Sequence, residues 1–121
     1  MKEGYYITNN GQKIDLNPTE GLYLSNRDII ELVLPEGVRT VWCDNNKLTE
    51  VIIPDGVEKF WCHNNLIKEL SLPDGINTIS CDNNKLTELI LPKDIGVVWC
   101  DLNVLDLQIN KHSNIDIRLH I

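Results

Sequence analysis

The apolar residues of this chain are spaced for extended backbone rather than for helix. In one representative unit, Val41 and Cys43 lie two residues apart, and Val51 and Ile53 are again two apart. A spacing of two places both members of a pair on the same face of a strand. A Pro-Asp-Gly sequence follows at 54–56, where proline and glycine turn the chain. The unit therefore predicts a short strand, an Asn-containing bend, a second extended stretch and a Pro-Gly corner.

This unit recurs every 19 residues. Its copies begin at Val38, Val57, Ile76 and Ile95, and a diverged first copy begins at Thr19. One such unit cannot bury its apolar face without neighbours, so the period predicts a solenoid, here of five turns over residues 19–106. Nineteen residues leave no space for a helix of ordinary length. The predicted inward set of the representative unit is Val38, Val41, Cys43, Asn46, Leu48, Val51 and Ile53.

The two flanking segments, 1–18 and 107–121, predict caps on the same single domain. Residues 5–16 alternate around an Asn-Gly pair at 10–11, which is typical of a hairpin. Alternation at 107–109 and again at 115–121 predicts a second hairpin. A solenoid needs such ends because an open last turn exposes both core and strand edge. The alternation of apolar and polar residues continues to Ile121, which also favours pairing with a second copy through this edge.

The repeat resembles a known family. The frame Val38-x-x-Val41-x-Cys43-x-x-Asn46-x-Leu48 is similar to the leucine-rich repeat consensus LxxLxLxxNxL, and the short repeats resemble those of bacterial effector-type members. The resemblance implies a right-handed, almost all-β solenoid with a concave parallel sheet, an extended convex side and little or no helix. Arg27 replaces Asn in the first copy, and the phase is lost after Leu105, as expected where end repeats meet caps. The Asn slot is held by Asn46, Asn65, Asn84 and Asn103.

The repeated Asn and Cys residues have structural explanations. An inward Asn amide can bond backbone groups that the bend leaves unpaired. In a parallel ladder, equivalent cysteines lie ~4.8 Å apart with parallel side chains, whereas a disulfide needs Cβ atoms nearer ~3.8 Å. Four thiols in a row span about 14 Å and cannot converge on one tetrahedral zinc. We therefore expect Cys43, Cys62, Cys81 and Cys100 to be reduced core residues.

Charge narrows the classes of partner. Eighteen acidic against 11 basic residues give a net charge of −7. Binders of nucleic acid or of anionic membranes carry the opposite sign, so both partners are disfavoured. No apolar run has the length of a membrane helix, and the first residues open no signal peptide. We expect a soluble protein that is cytoplasmic, or secreted without a classical signal peptide.

The sequence gives only weak indications of catalytic residues. Cys62 and His63 are adjacent, but neighbours on a strand point to opposite faces, so they cannot form a nucleophile–base pair. Phosphate-binding loops and metal-ligand pairs at helical spacing are absent from the sequence. A divalent ion held by Asp44, His63 and Asp82 is an alternative that the spacing permits and nothing requires. The sequence predicts no enzyme, no cofactor and no metal.

Aromatic residues occupy the outward slot of the predicted sheet. Tyr23, Trp42, Trp61 and Trp99 recur at the 19-residue period, with Ser80 in between. Contiguous exposed aromatics mark interfaces, although stacking between strands alone would also explain such a column. Asp44, His63, Asp82 and Asp101 follow beside it and predict an acidic rim. We expect a protein partner with basic and apolar groups on this concave face; carbohydrate binding, self-association or a role within a larger effector are the alternatives.

Overall fold

The computed structural model describes residues 2–101 and 116–120, and within these ranges the chain is built from β-strands and turns. There is no helix among these residues, and so none long and apolar enough to cross a membrane. The strands are β1 (Gly4–Thr8), β2 (Lys13–Leu16), β3 (Gly21–Tyr23), β4 (Ile29–Val33), β5 (Thr40–Trp42), β6 (Lys59–Trp61), β7 (Thr78–Ser80), β8 (Val97–Asp101) and β9 (Asp116–His120).

Six of these strands form a parallel sheet in the order β3-β5-β6-β7-β8-β9. Each strand is shifted from the previous one by the repeat length: Leu22 pairs with Val41, and Val41 with Phe60. The chain thereby winds into a β-solenoid of about four turns, with this sheet along one side. The predicted solenoid and its nearly all-β character are thereby confirmed.

The core lies between this sheet and the second extended stretch of each turn. All seven residues of the predicted inward set are buried, and the equivalent apolar residues of neighbouring turns join them in one cluster. Phe60 and Ile79 are fully buried, one above the other in adjacent strands. The two-residue alternation was therefore sufficient to identify the inward face.

Two columns of Asn build the bends after β5, β6 and β7. Asn65 Oδ1 accepts from the Leu48 N–H at 3.0 Å, and its Nδ2 donates to the carbonyls of Cys43 and Cys62. Asn46 and Asn84 make the equivalent bonds, which confirms the predicted structural role. Asn103 lies outside the described residues. The preceding Asn of each bend adopts positive φ, 57° at Asn64, a conformation that Asn tolerates better than most residues.

The N-terminal segment forms the predicted hairpin and also a contact that the sequence did not indicate. β1 and β2 pair antiparallel around the Asn-Gly turn, and β1 pairs on its other edge with β4. The resulting three-stranded sheet, ordered β2-β1-β4, covers the first turn of the solenoid. Gly4 is required where β1 meets β4, because a Cβ there would collide with the carbonyl oxygen of Val33.

Arg27, which replaces Asn in the first copy, forms hydrogen bonds at this end of the solenoid. Its guanidinium donates to the Tyr23 carbonyl at 3.4 Å and to the hydroxyl of Tyr6 at 3.5 Å. Thr19 Oγ1 donates to the Gly21 carbonyl at 3.3 Å. Side chains thus occupy two carbonyls of the edge strand β3, and an occupied edge is a poor template for pairing with another chain.

At the other end, β9 continues the ladder. It pairs parallel with β8, Val98 opposite Ile117 and Trp99 opposite Arg118, again 19 residues apart. The hairpin expected from residues 107–109 lies outside the described residues. What is described of the C-terminal segment is a sixth rung in register with the repeats.

Candidate functional site

The outward positions of the six parallel strands form one column, here called the outer column. From β3 to β8 each lies between two buried residues, as Trp42 does between Val41 and Cys43, so the alternation directs it away from the core. The ladder register aligns these positions from strand to strand. The outer column consists of Tyr23, Trp42, Trp61, Ser80, Trp99 and Arg118.

The two central indoles of the outer column are stacked. The ring centroids of Trp42 and Trp61 are 4.0 Å apart and the planes differ by 9°. Both side chains are half-buried, not freely exposed as the alternation suggested. Each ring therefore shields one face of the other. Part of the column therefore stabilises the sheet, as the stacking alternative proposed.

The two ends of the aromatic set are more open. Tyr23 is 68% exposed and Trp99 is 39% exposed. The Arg118 guanidinium lies over the Trp99 ring, 4.8 Å from its centroid, and pairs with Asp116 at 3.0 Å. A cation over an indole face is favourable by about 0.5–1 kcal/mol at exposed sites. The outer column thus already holds one guanidinium group on an aromatic ring.

The residues beside the outer column form a polar row, composed of Ser25, Asp44, His63, Asp82 and Asp101. Asp44 was predicted on an exposed rim, but it is only 7% exposed. Its carboxylate accepts from Ser25 Oγ at 2.6 Å and from Asn45 Nδ2 at 2.9 Å. Asp101 accepts from the backbone N–H of Asn83 at 3.0 Å. The row is therefore tied into the fold rather than freely solvated.

His63 joins this row to the outer column. Its Nδ1 is 3.0 Å from Ser80 Oγ, and its Nε2 is 3.6 Å from Asp44 Oδ2. Ser80 Oγ in turn donates to Asp82 Oδ1 at 3.1 Å. Because a hydroxyl has one proton, Ser80 can donate to Asp82 only while the His63 Nδ1 carries its own proton.

These contacts join a serine, a histidine and an aspartate, which are the three residue types of a hydrolytic triad. Ser80 is nevertheless poorly placed to act as the nucleophile of such a triad. It is only 4% exposed, so a substrate carbonyl cannot approach its Oγ without rearrangement. Its hydroxyl is also engaged by Asp82. The contacts therefore describe a structural network, and every buried side-chain N and O atom in the described part of the chain has a partner.

Sequence reasoning missed Ser80 and Arg118 as members of the site. Ser80 was treated only as an interruption of the aromatic residues. Arg118 carries a signal that was available: it lies one repeat after Trp99. The segment around it was instead assigned to a hairpin cap.

The four cysteines occupy the inward position next to the outer column. All are free and buried, as predicted from the repeat. Burial in the apolar core raises the pKa of the Cys43, Cys62 and Cys81 thiols well above the ordinary range, and it raises that of Cys100 to about 11. These thiols are neutral at physiological pH and are not poised as nucleophiles or metal ligands.

Within residues 2–101 and 116–120, no three His, Cys, Asp or Glu side chains are grouped so as to hold a metal ion. No family model, curated protein or solved structure matches this chain.

Proposed function

We propose that this protein is a non-catalytic binding module that takes a protein partner on the outer column and the polar row beside it. The observation that carries the proposal is the in-register column of aromatic side chains, which ends in the exposed rings of Tyr23 and Trp99. Exposed Tyr and Trp side chains dominate the energetics of protein interfaces. Half-buried, stacked Trp42 and Trp61 form a rigid base between them.

Charge favours a basic partner. The chain carries a net charge of −7, and Asp82 and Asp101 lie half-buried along the column. Arg118 over Trp99 illustrates the contact that a partner's arginine would make on an indole of this face. The partner segment would therefore combine a basic side chain with apolar ones.

Carbohydrate binding is the weaker alternative. A sugar ring stacks on an open aromatic face, but Trp42 and Trp61 cover one face of each other and Arg118 covers one face of Trp99. A protein segment can use ring edges and side-chain hydrogen bonds as well. The net charge of −7 favours a basic protein segment over an uncharged glycan.

The lineage and location of the module are part of the same proposal. The repeat frame and the Asn ladder support a leucine-rich-repeat-like, right-handed solenoid whose parallel sheet is concave and whose lineage is bacterial. The free, buried cysteines support a cytoplasmic protein, or one secreted without a classical signal peptide.

A selection from a random displayed-peptide library against the immobilised protein tests the proposed binding face. Titration calorimetry then compares binding of the selected peptides to wild type and Trp99→Ala. The variant should weaken binding by about 2 kcal/mol, the size of an interface hot spot, and should lower the folding stability only by the loss of the Arg118 contact, about 0.5–1 kcal/mol. The matched control is Ile52→Ala, which removes an exposed apolar side chain from the opposite face and should bind as wild type does.

Two results would contradict the proposal. A selection that recovers no peptide whose affinity falls in Trp99→Ala would mean that the outer column is not a protein-binding face. Strong hits on a glycan array, lost in Trp99→Ala, together with no selected peptide, would establish the carbohydrate alternative.

A further inference from the structure

The opposite side of the solenoid, here called the second face, is formed by the extended stretches 49–53, 68–72 and 87–91. Its outward positions hold two isoleucines that project into solvent, Ile52 at 84% and Ile90 at 64% exposed. The equivalent position between them is Ser71, whose side chain is much smaller. A groove of about 550 Å³ opens at this point, with Ile52, Ser71 and Ile90 among its lining residues.

Few backbone hydrogen bonds join successive turns on the described part of the second face. The described hydrogen bonds between successive turns here include Leu66 N–H to the Leu48 carbonyl at 2.8 Å and Lys68 N–H to the Thr49 carbonyl at 3.3 Å. None of the described backbone bonds links residues 50–53 to residues 69–72. The exposed apolar groove is thus bordered by extended chain rather than by a closed ladder.

Charges on this face are arranged differently from those elsewhere on the solenoid. Two ion pairs join residues one repeat apart, Arg39 with Glu58 at 3.6 Å and Lys47 with Asp28 at 2.8 Å. In each of these pairs, neighbouring turns carry opposite charges at the same slot. One slot of the second face instead holds the same acidic residue in four successive turns, namely Glu31, Glu50, Glu69 and Glu88.

This glutamate row has no compensating cation of its own. Among the described residues none of its four members forms an ion pair, and Glu31 accepts only the hydroxyl of Tyr5, at 2.8 Å. The groove over Ser71 includes Glu50, Glu69 and Glu88 against Lys68, a net charge of −2. Like charges in adjacent rungs are unfavourable, and a cationic ligand would relieve them.

We propose that this groove binds an extended segment of a partner protein in which basic residues flank an aliphatic side chain. The aliphatic side chain fills the notch over Ser71 between Ile52 and Ile90, and the basic side chains pair with the glutamate row. This groove is separate from the outer column. The proposal for the groove is therefore independent of the proposed function.

Fluorescence anisotropy with a labelled peptide of sequence Arg-Lys-Leu-Lys-Arg tests the proposed groove at low and at moderate salt. Ser71→Ile fills the notch with the residue found at the same slot one turn before and one turn after, so folding is expected to be preserved. It should weaken binding at least about tenfold, the effect of closing an apolar pocket to its ligand. Ser71→Ala keeps the notch open and should bind as wild type does.

Further variants test the electrostatic contribution to peptide binding and the specificity of the groove. Glu69→Gln should weaken binding and reduce its salt dependence, because one screened charge contact is lost. Trp99→Ala, on the outer column, should leave the affinity unchanged. A peptide with alanine in place of leucine should bind at least about tenfold more weakly than the leucine peptide.

Several results would overturn the inference. These are equal affinities of wild type and Ser71→Ile, equal affinities of the leucine and alanine peptides, or a wild-type Kd weaker than 1 mM. A dimer seen by sedimentation that Ser71→Ile dissociates would also overturn it, because a second copy would then occupy the groove.

Discussion

Raising the pH above about 9 should progressively destabilise this protein through its core cysteines. Burial holds the pKa of Cys43, Cys62 and Cys81 well above the value of 9.0 that a free thiol has. Above pH 9 the unfolded chain therefore releases protons that the folded chain retains. The stability that these thiols contribute is complete below pH 9 and is lost as the pH rises toward their folded pKa.

The magnitude follows from proton linkage. Each retained proton lowers the free energy of unfolding by about 1.4 kcal/mol per pH unit. At pH 10.5 the three inner thiols together cost about 6 kcal/mol. Cys100, whose pKa is raised to about 11, adds to the loss between pH 9 and 11. Domains of this size are stable by about 5–15 kcal/mol, so the loss is large enough to bring the protein near its unfolding transition.

Urea denaturation followed by circular dichroism, in a reducing buffer from pH 7.5 to 10.5, measures this effect. Cys62→Ala should be less stable than wild type at pH 7.5 by about 1 kcal/mol, the cost of a small cavity. It lacks one linked proton, however, and gains about 2 kcal/mol relative to wild type by pH 10.5. The two stability profiles should therefore cross at about pH 9.7.

Ile79→Val is the matched control, because it removes volume from an equally buried position without changing a titratable group. It should cost about 0.5–1.5 kcal/mol at every pH and run parallel to wild type. A Cys62→Ala profile that also runs parallel to wild type would refute the assignment of the thiols to the alkaline transition.

Three further predictions concern the repeat itself, each measured as a shift in the urea midpoint. Asn65→Ala should destabilise by at least about 3 kcal/mol because it leaves several buried backbone groups unpaired, and Asn64→Ala by about 1 kcal/mol, mainly through its left-handed backbone; equal midpoints would contradict the ladder. Trp61→Ala should cost at least about 1 kcal/mol through loss of the stack with its neighbour, and a midpoint like that of wild type would mean that the stack contributes nothing. Gly75→Ala should cost about 1–2 kcal/mol because φ at this corner is +88°, whereas Gly96→Ala, at negative φ, should cost less; the reverse order would disprove the strain.

The solenoid, its inward face and the role of the Asn and Cys ladders could be predicted from sequence. Each follows from local rules repeated many times: alternation assigns Val41 and Cys43 to one face, and the 19-residue period stacks them on equivalent residues. The N-terminal hairpin was equally local, because its Asn-Gly turn lies between its two strands. In these features the residues that interact are either close in the chain or equivalent by repetition.

The candidate site was predicted less completely. The positions of Tyr23, Trp42, Trp61 and Trp99 in one column follow from the period, but the stacking of Trp42 on Trp61 depends on side-chain rotamers. The burial of Asp44 depends on Ser25 and on His63, one turn to either side. Alternation distinguishes inside from outside, but it carries no information on how far an outward side chain is covered by its neighbours.

Only the tertiary structure decided how the ends and the polar network are completed. The pairing of β1 with β4 joins segments that share no repeat relation. His63 meets Ser80 across a diagonal of 17 residues, which the 19-residue period does not mark. Repetition determines contacts between equivalent positions, because the ladder register carries them from turn to turn. Contacts between non-equivalent positions depend on the path of the chain and on side-chain torsions, and these become defined only when the whole solenoid has formed.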